Sequence, residues 1–255
     1  MNMERIVIAN WKMNPSRIKD ALKLFKTTHT ATRACKNTTV MVAAPAPFLP
    51  LLAKLPGKQV VSLAAQDLSH QGGGAYTGEV GGSMLASIGA SHVLVGHSER
   101  RLQGEDDECV ARKMLSAHKA RLVPILCVGE SQRDADGAYL RTVGDQVVQA
   151  LQYLTASHIA KSMIAYEPIW AIGAQAAQTR DVEEMCLYIR RSLSDRVGPN
   201  RAARIPILYG GSVEVRNAAS FIEETGVQGL LVGRASLHAS FGSLLKKVDQ
   251  VSFET

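Results

Sequence analysis

A single carboxylate stands at the end of an apolar run in the second half of the chain. Glu167 ends the run that begins at Ser162, and Pro168 follows it directly. Proline disfavours the helical region for the preceding residue, so we expect Glu167 to be extended, at the last position of a strand. A carboxylate aimed from a strand end into a partly apolar pocket becomes more basic. Glu167 is therefore a candidate general base, able to remove and return a proton near neutral pH.

The residues after Pro168 are mostly small. Trp170 is followed by Ala171, Gly173 and three further alanines up to Ala177. This composition is typical of a loop that closes over a site as a lid. A glutamate at a strand end can also cap a neighbouring helix or pair with a surface lysine. The residues that follow the other predicted strands distinguish between these interpretations.

A base that takes a proton from carbon needs a partner that stabilises the negative charge on the adjacent carbonyl oxygen. His97 is a candidate, because it precedes Ser98, a good N-cap, and Glu99 and Arg100 could begin a short helix. The positive potential at a helix N-terminus keeps an imidazole neutral, able to donate one hydrogen bond and shuttle a proton. The alternative is a core histidine bonded to the backbone.

Two polar residues follow the first apolar run of the chain. Asn10 and Lys12 share one face there, and Trp11 between them points the other way. Lys12 lies two residues beyond a run that we expect to be buried. Its ammonium therefore points into the site or its stem packs beneath the site, although a solvated lysine is the more usual case.

Glycines near the C-terminus could bind an anion. Gly210, Gly211 and Ser212 follow one apolar run, and Gly233 follows the next. Glycines allow the backbone to approach a phosphate closely, and Ser212 adds a hydroxyl and is expected to open a helical turn. Such a segment is more often a simple turn. Phosphate sites after the last two strands are nevertheless a recurrent feature of α/β barrels.

Eight short runs rich in β-branched residues predict the strands that position these side chains. Most are continuously apolar, the pattern of parallel strands covered on both faces. The predicted strands are Arg5 to Asn10, Thr39 to Ala44, Gln59 to Ala65, His92 to Gly96, Leu122 to Val128, Ser162 to Tyr166, Ile205 to Tyr209 and Gly229 to Val232.

Helical patterns alternate with these runs along the whole chain, and we find no linker or low-complexity segment. The predicted helices are Arg17 to Thr32, Phe48 to Lys54, Ser83 to Ile88, Glu105 to Lys119, Gly137 to Leu154, Val182 to Val197, Asn217 to Glu224 and Phe241 to Val248. This alternation predicts an α/β fold with a closed (β/α)8 barrel, in one domain from residue 1 to 255. An open doubly wound sheet is the alternative, but no Gly-x-Gly-x-x-Gly follows the first run.

In a parallel barrel the active site lies at the carboxyl ends of the strands. Asn10 ends the first predicted strand, and Lys12, His97, Glu167, Ser212 and Gly233 come just after predicted strands. Polar residues and glycines thus gather at one end of the predicted barrel. This favours a catalytic role for Glu167 over a capping one.

Composition narrows the function classes. The net charge of +6 is compatible with an anionic partner. Basic residues are dispersed among acidic ones, however, and aromatic residues make up only 5%. These features argue against binding of nucleic acid and favour small anionic substrates. The four cysteines have no metal-ligand or redox spacing, and the histidines form no two-histidine helical metal motif. We find no signal sequence and no apolar stretch of about 18 residues, and therefore expect a cytoplasmic protein without a membrane span or a metal.

Four segments resemble the signatures of the triosephosphate isomerase family, in the right order and at the right spacing. They are Asn10-Trp11-Lys12-Met13-Asn14, Gly96-His97-Ser98-Glu99-Arg100-Arg101, Tyr166-Glu167-Pro168-Ile169-Trp170-Ala171-Ile172-Gly173 and Tyr209-Gly210-Gly211-Ser212-Val213. The resemblance covers essentially the whole chain. It implies a TIM barrel that interconverts dihydroxyacetone phosphate and D-glyceraldehyde 3-phosphate through an enediol, without a cofactor, in glycolysis and gluconeogenesis.

The resemblance also implies roles for the candidate residues. Glu167 would move the proton between the two carbons, and His97 would polarise the carbonyl, a pairing known for this family. Lys12 would supply positive charge and Asn10 a hydrogen bond to the substrate. The phosphate would be bound by Gly173 on the lid, Ser212 and Gly233. In the family the glycine-rich region here spanning Gln71 to Gly82 inserts into a partner subunit, which implies a homodimer.

The chain departs from the family pattern at three places. The lid continues Ala174-Gln175-Ala176 where the family usually has Thr-Gly-Lys, Arg234 replaces a second glycine, and Asp67 stands where the family often has asparagine. These changes leave the chemistry intact and affect the expected kinetics.

Three alternatives to an isomerase remain open on the sequence. They are an aldolase that uses Lys12 as a Schiff-base nucleophile, a non-catalytic paralogue that binds triose phosphate with an altered lid, and a nucleic-acid binder suggested only by the high pI.

Overall fold

The computed structural model describes residues 5–55, 60–173 and 177–251, and these form a closed barrel of eight parallel strands in chain order. The first strand pairs with both the second and the eighth, which closes the barrel. The strands are β1 Arg5–Asn10, β2 Thr38–Ala44, β3 Val61–Ala65, β4 His92–Val95, β5 Val123–Val128, β6 Met163–Tyr166, β7 Ile207–Tyr209 and β8 Gly229–Val232. The predicted (β/α)8 barrel is confirmed.

Helices lie between successive strands and follow the last one. They are α1 Ile18–Thr32, α2 Leu49–Leu52, α3 Gly82–Ser87, α4 Ser98–Leu102, α5 Asp107–Lys119, α6 Ala138–Ala150, α7 Ala156–Ile159, α8 Thr179–Val197, α9 Pro199–Ala202, α10 Ala218–Thr225 and α11 Phe241–Gln250. Short 3₁₀ turns occur at Ala46–Phe48, Ile169–Ala171 and Arg234–Leu237. None of the helices in this part of the chain is both long and apolar enough to cross a membrane.

The apolar core has two layers, which explains the continuously apolar strands. One face of each strand packs against the helices. The other face fills the barrel interior with Ile6, Ile8, Met41, Ala43, Ala64, Leu94, Ile125, Cys127, Ala165, Leu208 and Leu231. Because both faces are buried, alternation of polar and apolar residues along these strands is absent.

Several element boundaries differ from the prediction for local reasons. β7 begins at Ile207 rather than Ile205, because Pro206 between them has no N–H to donate to the sheet. Helix α8 begins at Thr179, before the predicted Val182. Gln178 is the N-cap there and forms a reciprocal capping box with Asp181. The short helices α7 and α9 were not predicted.

Candidate active site

Glu167 lies directly after β6, with only 2% of its surface exposed. Its backbone N–H donates to the carbonyl oxygen of Val128 (2.8 Å), which continues the sheet for one residue beyond the strand. Its carboxylate accepts a hydrogen bond from the backbone N–H of Ser98 at 2.9 Å and lies 3.1 Å from Nε2 of His97. The buried carboxylate therefore has a polar partner for each of its oxygens.

Two glycines make room for Glu167, one beside its backbone and one beside its side chain. A Cβ added at Gly129 would lie 1.8 Å from the carbonyl oxygen of Glu167, and one at Gly210 would lie 3.0 Å from its Cγ. Any side chain at Gly129 would collide with the backbone of Glu167. Gly210 thus contributes to the site by its small size, in addition to the anion contact expected from the sequence.

His97 is the N-cap of α4 and is largely buried, with 7% of its surface exposed. The sequence predicted Ser98 as the N-cap, and this was wrong. Nδ1 of His97 accepts the backbone N–H of Glu99 at 3.2 Å, so the imidazole performs the capping role. Since Nδ1 accepts, the proton of the neutral ring lies on Nε2, which can donate towards Glu167 or a substrate oxygen.

Asn10 ends β1, and Lys12 lies two residues later in a turn that Gln66 holds in place. Lys12 has a positive φ of 52°, which is unusual for a residue with a side chain. Oδ1 of Asn10 accepts the backbone N–H of Lys12 at 3.0 Å. The amide of Gln66 donates to the carbonyl oxygens of Lys12 (2.8 Å) and Ala43 (2.9 Å). These bonds stabilise the strained turn and fix the direction in which the Lys12 side chain leaves the backbone.

The ammonium of Lys12 forms an ion pair with Glu99 on α4. Lys12 also approaches the end of β8, because a Cβ added at Gly233 would lie 3.3 Å from its Cε. The Lys12 side chain therefore extends across the mouth of the barrel, between the predicted phosphate glycine and the helix that His97 caps.

Gly173 and Ser212 are in direct contact. The backbone N–H of Gly173 donates to Oγ of Ser212 (3.2 Å), which itself donates to the carbonyl oxygen of Ala171 (2.8 Å). The helical turn expected at Ser212 is absent, since α10 begins only at Ala218. The altered lid residues at positions 174–176 lie outside the described part of the chain. Arg234 is exposed and begins the 3₁₀ turn after Gly233.

Asp67, one of the three departures, belongs to a cluster of charges beside α4. Its carboxylate accepts from Nζ of Lys113 (2.6 Å) and lies 3.2 Å from Nε of Arg100. Burial raises the pKa of Asp67, and the nearby Lys113 opposes that shift. Both cations also contact Glu105. Two carboxylates thus face two cations, so the aspartate is accommodated as a charge-balanced group.

The predicted residues therefore form three groups at the carboxyl ends of the strands. Glu167 contacts His97, Lys12 is close to Asn10 and Gly233, and Gly173 contacts Ser212.

Among residues 5–55, 60–173 and 177–251, no group of three or more His, Cys, Asp or Glu is arranged to hold a metal ion. Cys127 is not available as a nucleophile, because burial and the charge of Glu167 raise the pKa of its thiol well above the usual value.

Comparison with known proteins identifies the family. The family model for triosephosphate isomerase matches residues 5–248. The chain belongs to the triosephosphate isomerase family. The resemblance of the four motifs is thereby confirmed for nearly the full length of the chain.

Curated relatives agree with this assignment, and all three that follow are triosephosphate isomerases. The protein of Acetivibrio thermocellus is 42% identical over 241 residues, covering 92% of this chain and 95% of the relative. That of Alkalilimnicola ehrlichii is 40% identical, covering 91% and 93%, and that of Moorella thermoacetica is 37% identical, covering 97% and 100%. Members of the family are isomerases that interconvert dihydroxyacetone phosphate and D-glyceraldehyde 3-phosphate, a step of glycolysis.

Three contacts of the site were not assigned a role from the sequence. The backbone N–H of Ser98 holds Glu167, Gln66 holds the turn of Lys12, and Glu99 pairs with the Lys12 ammonium. The positions of Gln66 after the third strand and Glu99 beside His97 were visible in the sequence. A backbone N–H leaves no signal in the residue types, so the contact from Ser98 could not have been found there.

Proposed function

We propose that Glu167 and His97 carry out the interconversion of dihydroxyacetone phosphate and D-glyceraldehyde 3-phosphate in this protein. The observation that carries the proposal is the 3.1 Å distance between Nε2 of His97 and the carboxylate of Glu167, within a buried site at the mouth of the barrel. Two residues 70 positions apart along the chain thus supply a base and a hydrogen-bond donor within reach of one small substrate.

The proposed reaction moves one proton between neighbouring carbons. Glu167 removes a proton from C1 of dihydroxyacetone phosphate, while Nε2–H of His97 donates to the carbonyl oxygen on C2 as negative charge develops there. His97 gives its Nε2 proton to the oxygen on C2, which completes the enediol, and regains a proton from the hydroxyl on C1. Glu167 returns its proton to C2 as the oxygen on C1 becomes the aldehyde carbonyl. A substrate between the two side chains would replace their direct contact.

The remaining residues would bind the substrate and its charge. Lys12 is a cation at the mouth of the barrel, suited to the enediolate and the phosphate. Asn10 contributes its amide, and the backbone N–H groups of Gly173 and Gly233 with the hydroxyl of Ser212 would bind the phosphate. Closure of a lid over them would exclude water, which matters because an exposed enediolate can expel phosphate.

The described contacts favour the isomerase over the alternatives. Nζ of Lys12 is held by the carboxylate of Glu99, a contact that Lys12 would have to give up in order to react as a Schiff-base nucleophile. The buried carboxylate that faces an imidazole supplies the base and the donor that proton transfer needs and that binding alone does not require. No observation on the described residues supports binding of nucleic acid.

A coupled assay with D-glyceraldehyde 3-phosphate tests the proposal. The product is reduced by glycerol-3-phosphate dehydrogenase, and the oxidation of NADH is followed at low enzyme concentration. We expect rapid, cofactor-independent turnover by the purified protein. Binding of the substrate without turnover would instead establish the non-catalytic paralogue, and trapping with borohydride would reveal the aldolase.

We also propose that the protein is a homodimer formed through the Gln71 to Gly82 loop. Residues 72–79 are all exposed, and the loop is closed at its base where the N–H of Ser69 donates to Val80. Exposed apolar side chains occur on this loop and on two segments that contact the residues just before it. Tyr76 on the loop is 46% exposed, Met13 beside Lys12 is 93% exposed, and Leu102, two residues after Arg100, is 79% exposed. An apolar surface of this kind is typical of a protein interface.

We also propose that the chain is a single domain and that the protein is cytoplasmic. The barrel elements run from Arg5 to Gln250, which supports one domain over residues 1–255. The four cysteines are free thiols, as expected of a protein in the reducing cytoplasm.

A further inference from the structure

The positive charge of the chain is concentrated on two neighbouring helices. Residues 17–36, which contain α1, and residues 241–250, which form α11, together hold eight basic and two acidic residues. Their net charge of +6 equals that of the whole chain, so the remaining residues are neutral as a group. The expected dispersal of basic residues among acidic ones is therefore wrong for these two helices. Because α1 and α11 pack side by side, the excess charge lies on one side of the barrel.

An open groove of about 770 Å³ lies between these two helices. Its apolar floor contains Leu22 and Ala31, which are half-buried and pack against the core. Ala239 and Gly242, at the start of α11, complete the lining on the other side. A Cβ added at Gly242 would lie 3.4 Å from that of Ala31, so the two helices approach closely here. The small side chains leave room for a further segment of chain above them.

Three lysines of α1 line one side of this groove. Lys19, Lys23 and Lys26 are all exposed, and their spacing of four and three residues places them on one face of the helix. Within the described part of the chain, none of their ammonium groups has an ion-pair or hydrogen-bond partner. Like charges at this spacing oppose helix formation, so the three lysines do not serve the stability of α1.

The two acidic residues of these segments have other partners. The carboxylate of Asp20 lies 2.7 Å from Nε of Arg17. Asp249 accepts the backbone N–H groups of Lys36 (3.0 Å) and Asn37 (2.7 Å) at the far end of α1. The charge of the groove is therefore not compensated from within α1 and α11, and it is available to a ligand outside the chain.

We propose that the groove between α1 and α11 is a docking surface for an acidic amphipathic helix of a partner protein. The three lysines would pair with carboxylates spaced three and four residues apart on that helix. Its small apolar residues would pack on Leu22 and Ala31. Complementary charge would speed the encounter and select the partner. The inference is independent of the proposed isomerase function, because the groove lies on the outer helices and not at the strand ends.

The shape and composition of the groove favour a helix over other polyanions. Among the described residues that line it there is neither an arginine nor an aromatic residue, the side chains that commonly hold phosphates and stack on bases. Binding to an anionic membrane requires apolar side chains that project into the lipid. Here Leu22 and Ala31 lie half-buried below exposed lysines, where a narrow helix reaches them and a flat membrane does not.

Binding of a labelled model peptide tests the proposal. The probe is a 15-residue peptide, as long as α1, with glutamates on one helical face and alanine and leucine on the other. Fluorescence anisotropy at physiological salt measures its affinity. We expect the wild type to bind it and Lys19→Gln/Lys23→Gln/Lys26→Gln to bind about tenfold more weakly, because three exposed ion pairs are lost. Absence of binding to the wild type would overturn the proposal.

A matched control variant removes the same charge elsewhere. Lys119 on α5, Arg141 on α6 and Lys161 just after α7 are all exposed. We expect Lys119→Gln/Arg141→Gln/Lys161→Gln to bind the peptide as the wild type does. An equal loss of affinity in the two triple variants would mean that net charge alone attracts the peptide, which contradicts a docking surface.

Ala239→Leu tests the groove without changing its charge. Ala239 is exposed, so the fold tolerates a larger side chain, which would occupy part of the groove. We expect severalfold weaker binding of the peptide. Unchanged affinity would show that the peptide lies outside the groove, and the proposal would be rejected.

Competition identifies the occupant. A single-stranded DNA oligonucleotide and vesicles containing phosphatidylserine are added separately to the complex with the peptide. Displacement by either one at a lower concentration than by unlabelled peptide would reject an acidic helix as the occupant. The coupled isomerase assay and circular dichroism should match the wild type in all variants, which shows that they are folded. A wild type without isomerase activity would reject the proposed function alone, since peptide binding is measured independently.

The glutamine analogue of the peptide separates charge from apolar contact. With glutamine in place of every glutamate, the peptide keeps its apolar face and loses its carboxylates. We expect no measurable binding to the wild type or to either triple variant. Equal affinity of the wild type for both peptides would show that the lysines do not recognise the partner, contrary to the proposal.

Discussion

Among single residues, the proposed proton transfer depends on the contacts that hold Glu167 in place. Its two oxygens face the backbone N–H of Ser98 and Nε2 of His97, and almost none of its surface is exposed. Both partners belong to the start of α4. One short helix therefore positions the proposed base and also carries the group that would polarise the substrate.

Replacement of Glu167 by glutamine should remove the base with little change in shape. We expect kcat to fall roughly a hundredfold or more, the low end of general-base effects. The coupled assay measures this, and circular dichroism checks the fold. A purified variant with near-normal turnover would exclude Glu167 from the role.

Replacement of His97 by alanine should remove the donor to the carbonyl oxygen. We expect a loss on the order of 3 kcal/mol of transition-state stabilisation, typical of one lost oxyanion donor, measured as kcat/KM. Since His97 also caps α4, the melting temperature should be measured in parallel. An unchanged kcat/KM would contradict the assignment.

Among secondary-structure elements, the turn after β1 shows how a loop is made rigid. Lys12 has a positive φ, and Gln66 from the turn after β3 bonds to its carbonyl oxygen. The position of the ammonium therefore depends on a residue from a different strand.

Replacement of Gln66 by glutamate should loosen this turn. A carboxylate has no N–H to donate to the oxygens of Lys12 and Ala43, and we expect about a tenfold fall in kcat/KM from the lost hydrogen bonds. Gln66→Ala should show a similar fall, because it also lacks the donors. Wild-type kinetics in both variants would mean that Lys12 is positioned without Gln66.

For the complete chain, two half-buried histidines link stability to pH. Burial lowers the pKa of His92 and of His118 to about 4, and for His118 the neighbouring His158 and Lys161 add to the effect. The unfolded chain, with histidine near the usual 6.5, binds more protons than the folded chain between these values. Stability should therefore fall as the pH drops from about 6.5 towards 4.

Urea unfolding at several pH values in this window measures the effect. In His118→Gln one of these groups is absent, so the free energy of unfolding should decrease less on acidification than in the wild type. Equal pH dependence of the two proteins would show that His118 does not contribute.

The proposed homodimer predicts a particle of twice the chain mass of 27.5 kDa. Tyr76→Asp places a charge on the exposed loop and should shift the protein towards the monomer in analytical ultracentrifugation. Leu187→Asp, at an exposed apolar residue of α8, is the matched control and should leave the mass unchanged. A monomeric wild type would reject the dimer.

Much of the fold could be predicted from local patterns. Continuous apolar runs identified the eight strands, because strands covered on both faces need apolar residues at every position. The predicted element boundaries were less accurate where a proline or a capping residue sets the start of the element, as Pro206 does for β7 and Gln178 for α8. The short helices α7 and α9 contain too few residues for a periodic pattern.

The residue types at the strand ends, and the match of their order and spacing to one family, were specified by the amino-acid sequence alone. Barrel closure determined which of them meet: Glu167 with His97, Gln66 with Lys12, and Ser212 with Gly173. These contacts join residues that are distant along the chain, and several use backbone N–H or carbonyl groups common to nearly every residue. Their partners are therefore set by the packing of the folded chain and leave no mark in the residue types.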